Sequence, residues 1–182
     1  AWNLKLRGLA TVAGVTINDC NAADGETVYA ATPSSGSGCA NIEFGILPRV
    51  WTGAKNADFA DAGNWEDGNV PGADDLAVIA KGGSVTISAA TTVRELVLGG
   101  GDAVTLTISQ PLTVGGSMQI GGGATVSASE MVTVGNSLVM NEGAKLTHPQ
   151  SGSATATHLF VEVGGDFVLD KDAAVDVIGK GF

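Results

Sequence analysis

Short stretches in which apolar and polar residues alternate run through most of the chain. Leu106-Thr107-Ile108 and Leu112-Thr113-Val114 show the pattern clearly, with apolar residues two positions apart. This spacing puts both apolar side chains on one face of a β-strand. Because turn-forming segments such as Ser109-Gln110-Pro111 separate the stretches, the pattern predicts an all-β protein built from many short strands.

A pattern of twelve residues occurs three times without a gap in the second half of the chain. The copies begin at glycines that each follow a valine: Val114-Gly115, Val134-Gly135 and Val163-Gly164. Within each copy two apolar residues lie two positions apart, and an alanine precedes a further apolar residue. We expect the glycines to turn the chain with a positive φ, and the alanine to mark a corner too tight for a larger side chain.

The spacing of these copies predicts the fold. The first two lie 20 residues apart and the next step is 29, with the nine extra residues in a polar loop at 147–155. A period of about 20 residues suits one coil of a solenoid, which tolerates an insertion at a corner. We therefore predict a right-handed parallel β-helix, or β-solenoid, with glycine-rich corners. A β-sandwich is the alternative, because short, regularly spaced strands also fit one.

The texture of the sequence changes near residue 48. Residues 1–47 are predicted to be the terminal coils of a preceding β-rich segment, and residues 48–182 a solenoid module with coils of about 20 residues. No polar capping unit follows the last apolar stretch, Val175–Ile178. Since solenoids need such units to close the core, we expect the coils to continue beyond this sequence.

Charge and cysteine content narrow the choice of function. The net charge is −10 and the nine basic residues are scattered, which argues against a nucleic-acid partner. No window of about 18 apolar residues is present, so no membrane-spanning helix is predicted. The two cysteines, Cys20 and Cys39, lie in a loop-rich stretch. They form either a disulfide or two free thiols, and the sequence leaves both open.

One stretch resembles a known kind of module. The run Trp51-Thr52-Gly53, Asp61–Trp65, Gly68–Gly72 and Asp74–Ile79 resembles the opening of parallel β-helix modules in large secreted bacterial proteins, including those with autotransporter-associated β-strand repeats. It is also similar to G8 domains of extracellular proteins, over residues 51 to about 135. The resemblance implies a secreted or cell-surface location. Its members include adhesins, passenger domains and polysaccharide-active enzymes, so it implies no single activity.

Acidic side chains cluster in the same stretch and suggest calcium as a cofactor. The candidates are Asp58, Asp61, Asp67, Asp74 and Asp75. Calcium takes six to eight oxygen ligands, but the order does not match an EF-hand loop. The alternative is that these residues form turns by bonding local backbone. No other cofactor is predicted.

Aromatic residues offer a possible ligand site. Trp51 and Trp65, with Asn64 beside them, would bind a sugar ring if the indoles are exposed. The alternative is that both rings cover the open end of the core. His148 and His158 bracket the inserted loop, where a metal site would need further ligands; the alternative is two solvated histidines.

The sequence contains no Ser-His-Asp, Cys-His or nucleotide-binding signature, so we predict no catalysis and no catalytic residues. The leading prediction is a structural segment of a large secreted or surface protein: a spacer, stalk, adhesin or filament-forming part. The alternative is a carbohydrate-binding module or an accessory domain of a polysaccharide-active enzyme. The predicted partners are an extracellular polysaccharide or neighbouring copies of the chain.

Overall fold

The computed structural model describes residues 2–5, 10–24, 28–31, 34–100, 102–152 and 156–180. The chain divides into two compact units, Ala1–Pro48 and Arg49–Phe182. Within each unit the paired strands run parallel, and the described helical structure is a single 3-10 turn at Ala62–Asn64. The fold is a β-solenoid, as predicted, and the sandwich alternative is wrong.

The first unit contains short strands that pair between successive coils. Its strands are β1 Trp2–Asn3, β2 Ala10–Ala13, β3 Thr16–Asn18, β4 Cys20–Asn21, β5 Val28–Ala31, β6 Ser35–Ser37 and β7 Ile42–Val50, the last of which runs into the second unit. β1 pairs with β4, β3 with β6, and β5 with both β2 and β7. Small side chains such as Ala22 and Ala30 fill the interior with Val28.

The second unit contains the longer stack of coils. Its strands are β8 Asp75–Ile79, β9 Gly83–Ile87, β10 Thr91–Val93, β11 Glu95–Leu98, β12 Val104–Ile108, β13 Leu112–Val114, β14 Met118–Ile120, β15 Thr125–Ala128, β16 Val132–Val134, β17 Leu138–Met140, β18 Lys145–Thr147, β19 Val161–Val163, β20 Phe167–Leu169 and β21 Ala174–Asp176. They form three sheets, ordered β10-β13-β16-β19, β8-β11-β14-β17-β20 and β9-β12-β15-β18-β21. From β10 onward, each coil therefore contributes one strand to every sheet.

The repeated valines lie in one column along the stack. Val93 pairs with Val114, Val114 with Val134, and Val134 with Val163. The last pairing holds across the longer step of the sequence, because the inserted residues leave between β18 and β19 and return in register. The insertion is thus confined to one corner, as predicted.

Stacked aliphatic side chains form a continuous core. Leu96, Met118 and Leu138 occupy equivalent positions in successive coils and are each at most 1% exposed. Phe167 continues that column in the last described coil but is 45% exposed. Since burial of a side chain of this size is worth about 2 kcal/mol, each coil is stabilised by the coil on either side of it.

The glycines at the start of each copy of the repeat do not have the positive φ that we expected. The left-handed residues are those before the corner alanine: Gly123 and Gly143, with Asp172 in the third copy. Gly135 and Gly164 are glycines for another reason, because each lies directly against the carbonyl oxygen of the equivalent glycine in the coil before. Close stacking, rather than backbone conformation, excludes a side chain there.

The corner alanines behave as expected. Ala124 and Ala144 are each 1% exposed. Across the described part of the chain, no helix has the length and apolar character needed to span a membrane.

Candidate functional site

Residues 51–66, named here the cover segment, lie across the first coil of the second unit. The amide of Trp51 donates to the carbonyl of Val78 on β8 at 2.8 Å, and that of Phe59 donates to Thr86 on β9 at 3.0 Å. The cover segment therefore pairs with both strands of that coil and lies over its core.

The candidate tryptophans point into this core. Trp51 and Trp65 are 4% and 3% exposed. The ring of Trp65 packs edge-to-face against Trp51 at 5.2 Å and against Phe59 at 4.8 Å between centroids. Its indole N–H donates to the carbonyl of Phe59 at 2.9 Å. The rings thus offer no open face to a sugar, and they have the covering position that the sequence left as the alternative.

Asn64, the third candidate ligand residue, holds the cover segment together. Its side chain is fully buried at 0% exposure. Its Oδ1 accepts from the amides of Lys55 and Asn56, both at 2.9 Å. Its Nδ2 donates to Asn56 Oδ1 at 2.7 Å and to the carbonyl of Asp58 at 2.8 Å. These four bonds use the whole capacity of the amide, so none remains for a ligand.

Two of the five candidate carboxylates bond within or beside the cover segment. Asp58 accepts from the Ser88 hydroxyl at 2.6 Å and from the Ala60 amide at 3.1 Å. Asp61 accepts from Lys55 Nζ at 3.1 Å and from the Gly63 amide at 3.0 Å. Together with a bond from Asn56, these contacts hold the pKa of Asp61 below its ordinary value.

The other three carboxylates lie around Arg49. The Arg49 guanidinium forms an ion pair with Asp67, and its Nε lies 3.3 Å from Asp75 Oδ1. Although burial acts in the opposite sense, hydrogen bonds from the Asn69 amide and from Arg49 lower the pKa of Asp67. Asp74 is exposed in the turn before β8.

The arrangement of these carboxylates does not fit a calcium ion. Four of them point at backbone amides, hydroxyls or cations of the chain rather than at a shared centre. Within the described ranges, no three His, Cys, Asp or Glu side chains are grouped so as to hold a metal. The turn-forming alternative accounts for Asp58 and Asp61, and the ion pair with Arg49 accounts for Asp67 and Asp75.

The two cysteines are free thiols. Cys20 is buried, and Cys39 is half-buried. Burial, together with a hydrogen bond to Cys39, raises the pKa of the Cys20 thiol to about 11. The two side chains are therefore in contact, although the chain has no covalent link between them.

A cleft lies beside the inserted loop. It has a volume of about 480 Å³ and is lined by His148, Ser151, Ala156, Thr157, His158, Leu159, Phe160 and Val177. His148 is buried, at 7% exposure, and its Nδ1 donates to the carbonyl of Pro149 at 2.7 Å. Phe160 is 57% exposed and its ring lies 5.6 Å from that of His158.

Sequence reasoning missed two features of these sites. Arg49 was assigned to a linker, and nothing in its neighbourhood marked it as the partner of Asp67 and Asp75. The cleft was also missed, although Phe160 gave a signal: it is an aromatic residue of a chain with few of them, directly after the insertion.

A search of protein-family models, curated proteins and solved structures found no match to this chain.

Proposed function

We propose that the chain is a structural segment of a large secreted or surface protein, in which the solenoid acts as a spacer or stalk. The observation that carries this proposal is the unbroken column of valines from Val93 to Val163, which keeps its register across the insertion. In such a stack each added coil extends the molecule along one axis by about 4.8 Å without altering the coils below. A stack of this kind sets a distance, which is the work of a spacer.

The use of side chains in the cover segment supports the same proposal. The aromatic rings and Asn64 bond to neighbours within the chain and stabilise the first coil of the second unit. Loss of these contacts would expose Leu76 to Ile79 and the core behind them, because the segment pairs with β8 through Trp51. Its conspicuous residues are therefore explained by stability.

The proposal is tested in the cells that produce the chain. Antibodies raised against the purified chain should label intact cells or the medium, with an intracellular protein as the control for leakage. A gene carrying a second copy of residues 115–134 should give a longer protein that is displayed equally well. Label that appears only after permeabilisation contradicts the surface location, and loss of display on adding one coil contradicts the role as a spacer.

A second candidate function, glycan binding, is favoured by the cleft beside the inserted loop. Phe160 presents an exposed ring next to His158, and the cleft volume of about 480 Å³ suits a small ligand. Titration with a panel of polysaccharide fragments, followed by NMR, tests it. Shifts confined to residues 148–160 that vanish in Phe160→Ala support binding there. Shifts that are unchanged in Phe160→Ala, or no shifts at all, exclude it.

A further inference from the structure

Cys20 and Cys39 occupy equivalent positions in neighbouring coils of the first unit. Ile17 pairs with Gly36, and Asn21 pairs with Ala40, so the offset between the coils is 19 residues on both sides of the cysteines. The amide of Ala40 donates to the carbonyl of Cys20 at 3.0 Å, which fixes this register next to the thiols. Cys39 therefore lies directly above Cys20.

The corner before each cysteine keeps the two side chains aligned. Asp19 and Gly38 precede the cysteines, and both adopt left-handed backbone conformations, with φ of 52° and 66°. A Cβ on Gly38 would lie 2.6 Å from Asp19 Oδ1, so these two corners are stacked one on the other. Because the chain leaves both corners in the same way, both thiols point in the same direction.

We propose that Cys20 and Cys39 are a modification site at which a small-molecule disulfide, such as oxidised glutathione, closes a covalent link between the two coils. Neighbouring parallel strands lie about 4.8 Å apart, which is within the range of Cα separations that a disulfide spans. The corner position leaves room for the small approach of the Cβ atoms that the bond requires.

The unequal burial of the thiols sets the order of the reaction. Cys39 is half-buried, so its thiolate attacks one sulfur of oxidised glutathione and releases one glutathione thiolate. The Cys20 thiolate then attacks Cys39 Sγ and releases the second glutathione. Two cysteine protons are lost and one oxidised glutathione is reduced to two thiols. The raised pKa of Cys20, about 11, makes the second step the slower one.

The link would matter because it joins coils with a modest interior. The strands concerned are two to three residues long, and alanines such as Ala22 fill the space behind them. A disulfide that closes a loop of this length reduces the entropy of the unfolded chain. This inference concerns the first unit and does not depend on the proposed function.

The test is a redox titration of the purified chain in glutathione buffers, with the state of the thiols read by intact mass after alkylation. We expect closure within one chain, and an equilibrium constant at least about tenfold larger in native buffer than in urea that unfolds the chain. That difference arises only if the native fold brings the thiols together. An equal or smaller constant in native buffer overturns the proposal, as does a disulfide formed between two chains.

Single variants test the order of the two steps. Cys20→Ala should stop with one glutathione on Cys39, and Cys39→Ala should remain unmodified in native buffer because its remaining thiol is buried. Native Cys39→Ala that reacts as fast as Cys20→Ala contradicts the proposed entry point. Amide hydrogen exchange of residues 16–22 should slow at least about tenfold on closure in the wild type, whereas the double Ala variant should not respond to glutathione.

Discussion

Gly135 lies directly against the backbone carbonyl oxygen of Gly115, so that a Cβ on Gly135 would overlap this oxygen. Gly115 itself has more room, because the nearest atom to its own Cβ position would be the Val93 carbonyl oxygen at 3.8 Å. Two glycines at the same position of the repeat therefore differ in what they tolerate.

The first prediction compares these two glycines. Gly135→Ala should lower the free energy of unfolding by about 1–3 kcal/mol, because the added methyl group forces two coils apart. Gly115→Ala should change it by less than about 0.5 kcal/mol. Urea unfolding followed by circular dichroism measures both. Equal effects of the two substitutions would mean that the coils are not stacked in this register.

The repeat was enough to predict this stacking but not the reason for its glycines. Because the copies align without a gap, the positions of Val114, Val134 and Val163 within each copy imply a common column. The distance between Gly135 and the neighbouring carbonyl, by contrast, depends on how closely two coils approach, and no single copy of the repeat contains that information. Gly123 and Asp172 show that the left-handed corner lies eight residues after the first glycine of each copy.

The second prediction concerns the buried amide of the cover segment. Asn64→Ala should lower the free energy of unfolding by about 3 kcal/mol, because it leaves the amides of Lys55 and Asn56 buried without their acceptor. Asn69→Ala is the matched control, since Asn69 is exposed and bonds within its own turn. Chemical denaturation should separate the two variants clearly. A mild effect of Asn64→Ala would show that the cover segment contributes little to stability.

The third prediction concerns the tryptophans. In a Trp2→Phe background, the fluorescence of Trp51 and Trp65 should resist quenching by iodide, because both rings are buried. Addition of polysaccharides should leave the emission unchanged. Strong quenching, or a shift of the emission on adding a glycan, would restore these residues as a binding platform.

Sequence alone could not decide how these aromatic and amide side chains are used. A tryptophan beside asparagine and aspartate has the same composition in a sugar site and in a cover over a core. The difference lies in which face of Trp65 meets Phe59, and this depends on pairing of the segment with β9, a strand about 25 residues later in the sequence.

The fourth prediction concerns calcium. Treatment with EDTA should change the melting temperature by less than about 1 °C, since a chain that binds no ion loses no stabilisation when the ion is removed. A magnesium-saturated EDTA sample controls for ionic strength. A clear fall that calcium reverses would place a metal where Asp67 and Asp75 meet Arg49 in this structure.

The fifth prediction concerns acid. Contacts with Lys55, Gly63 and Asn56 lower the pKa of Asp61 in the folded chain, so this group binds a proton more readily when unfolded. Its contribution to stability is therefore complete above the ordinary aspartate pKa of about 4 and is lost as the pH falls towards the lowered value. The difference in melting temperature between the wild type and Asp61→Asn should narrow from pH 7 to pH 3.

The exposed carboxylate of Asp74 supplies the control for this acid titration. Asp74→Asn removes a negative charge from the same region without removing the contacts that Asp61 makes. It should change the melting temperature little at either pH. A difference between the wild type and Asp61→Asn that grows towards pH 3 would show that the network around Asp61 does not favour its charged form.

The most direct measurement of the stacked-coil architecture is the set of through-space NMR contacts between the backbones of Val114, Val134 and Val163. Parallel stacking predicts contacts from Val114 to Val134 and from Val134 to Val163, with the residues before each valine in contact in the same ascending order. Contacts in which residue numbers rise on one strand and fall on its neighbour would indicate antiparallel partners. That result would contradict the solenoid, and with it the proposed spacer.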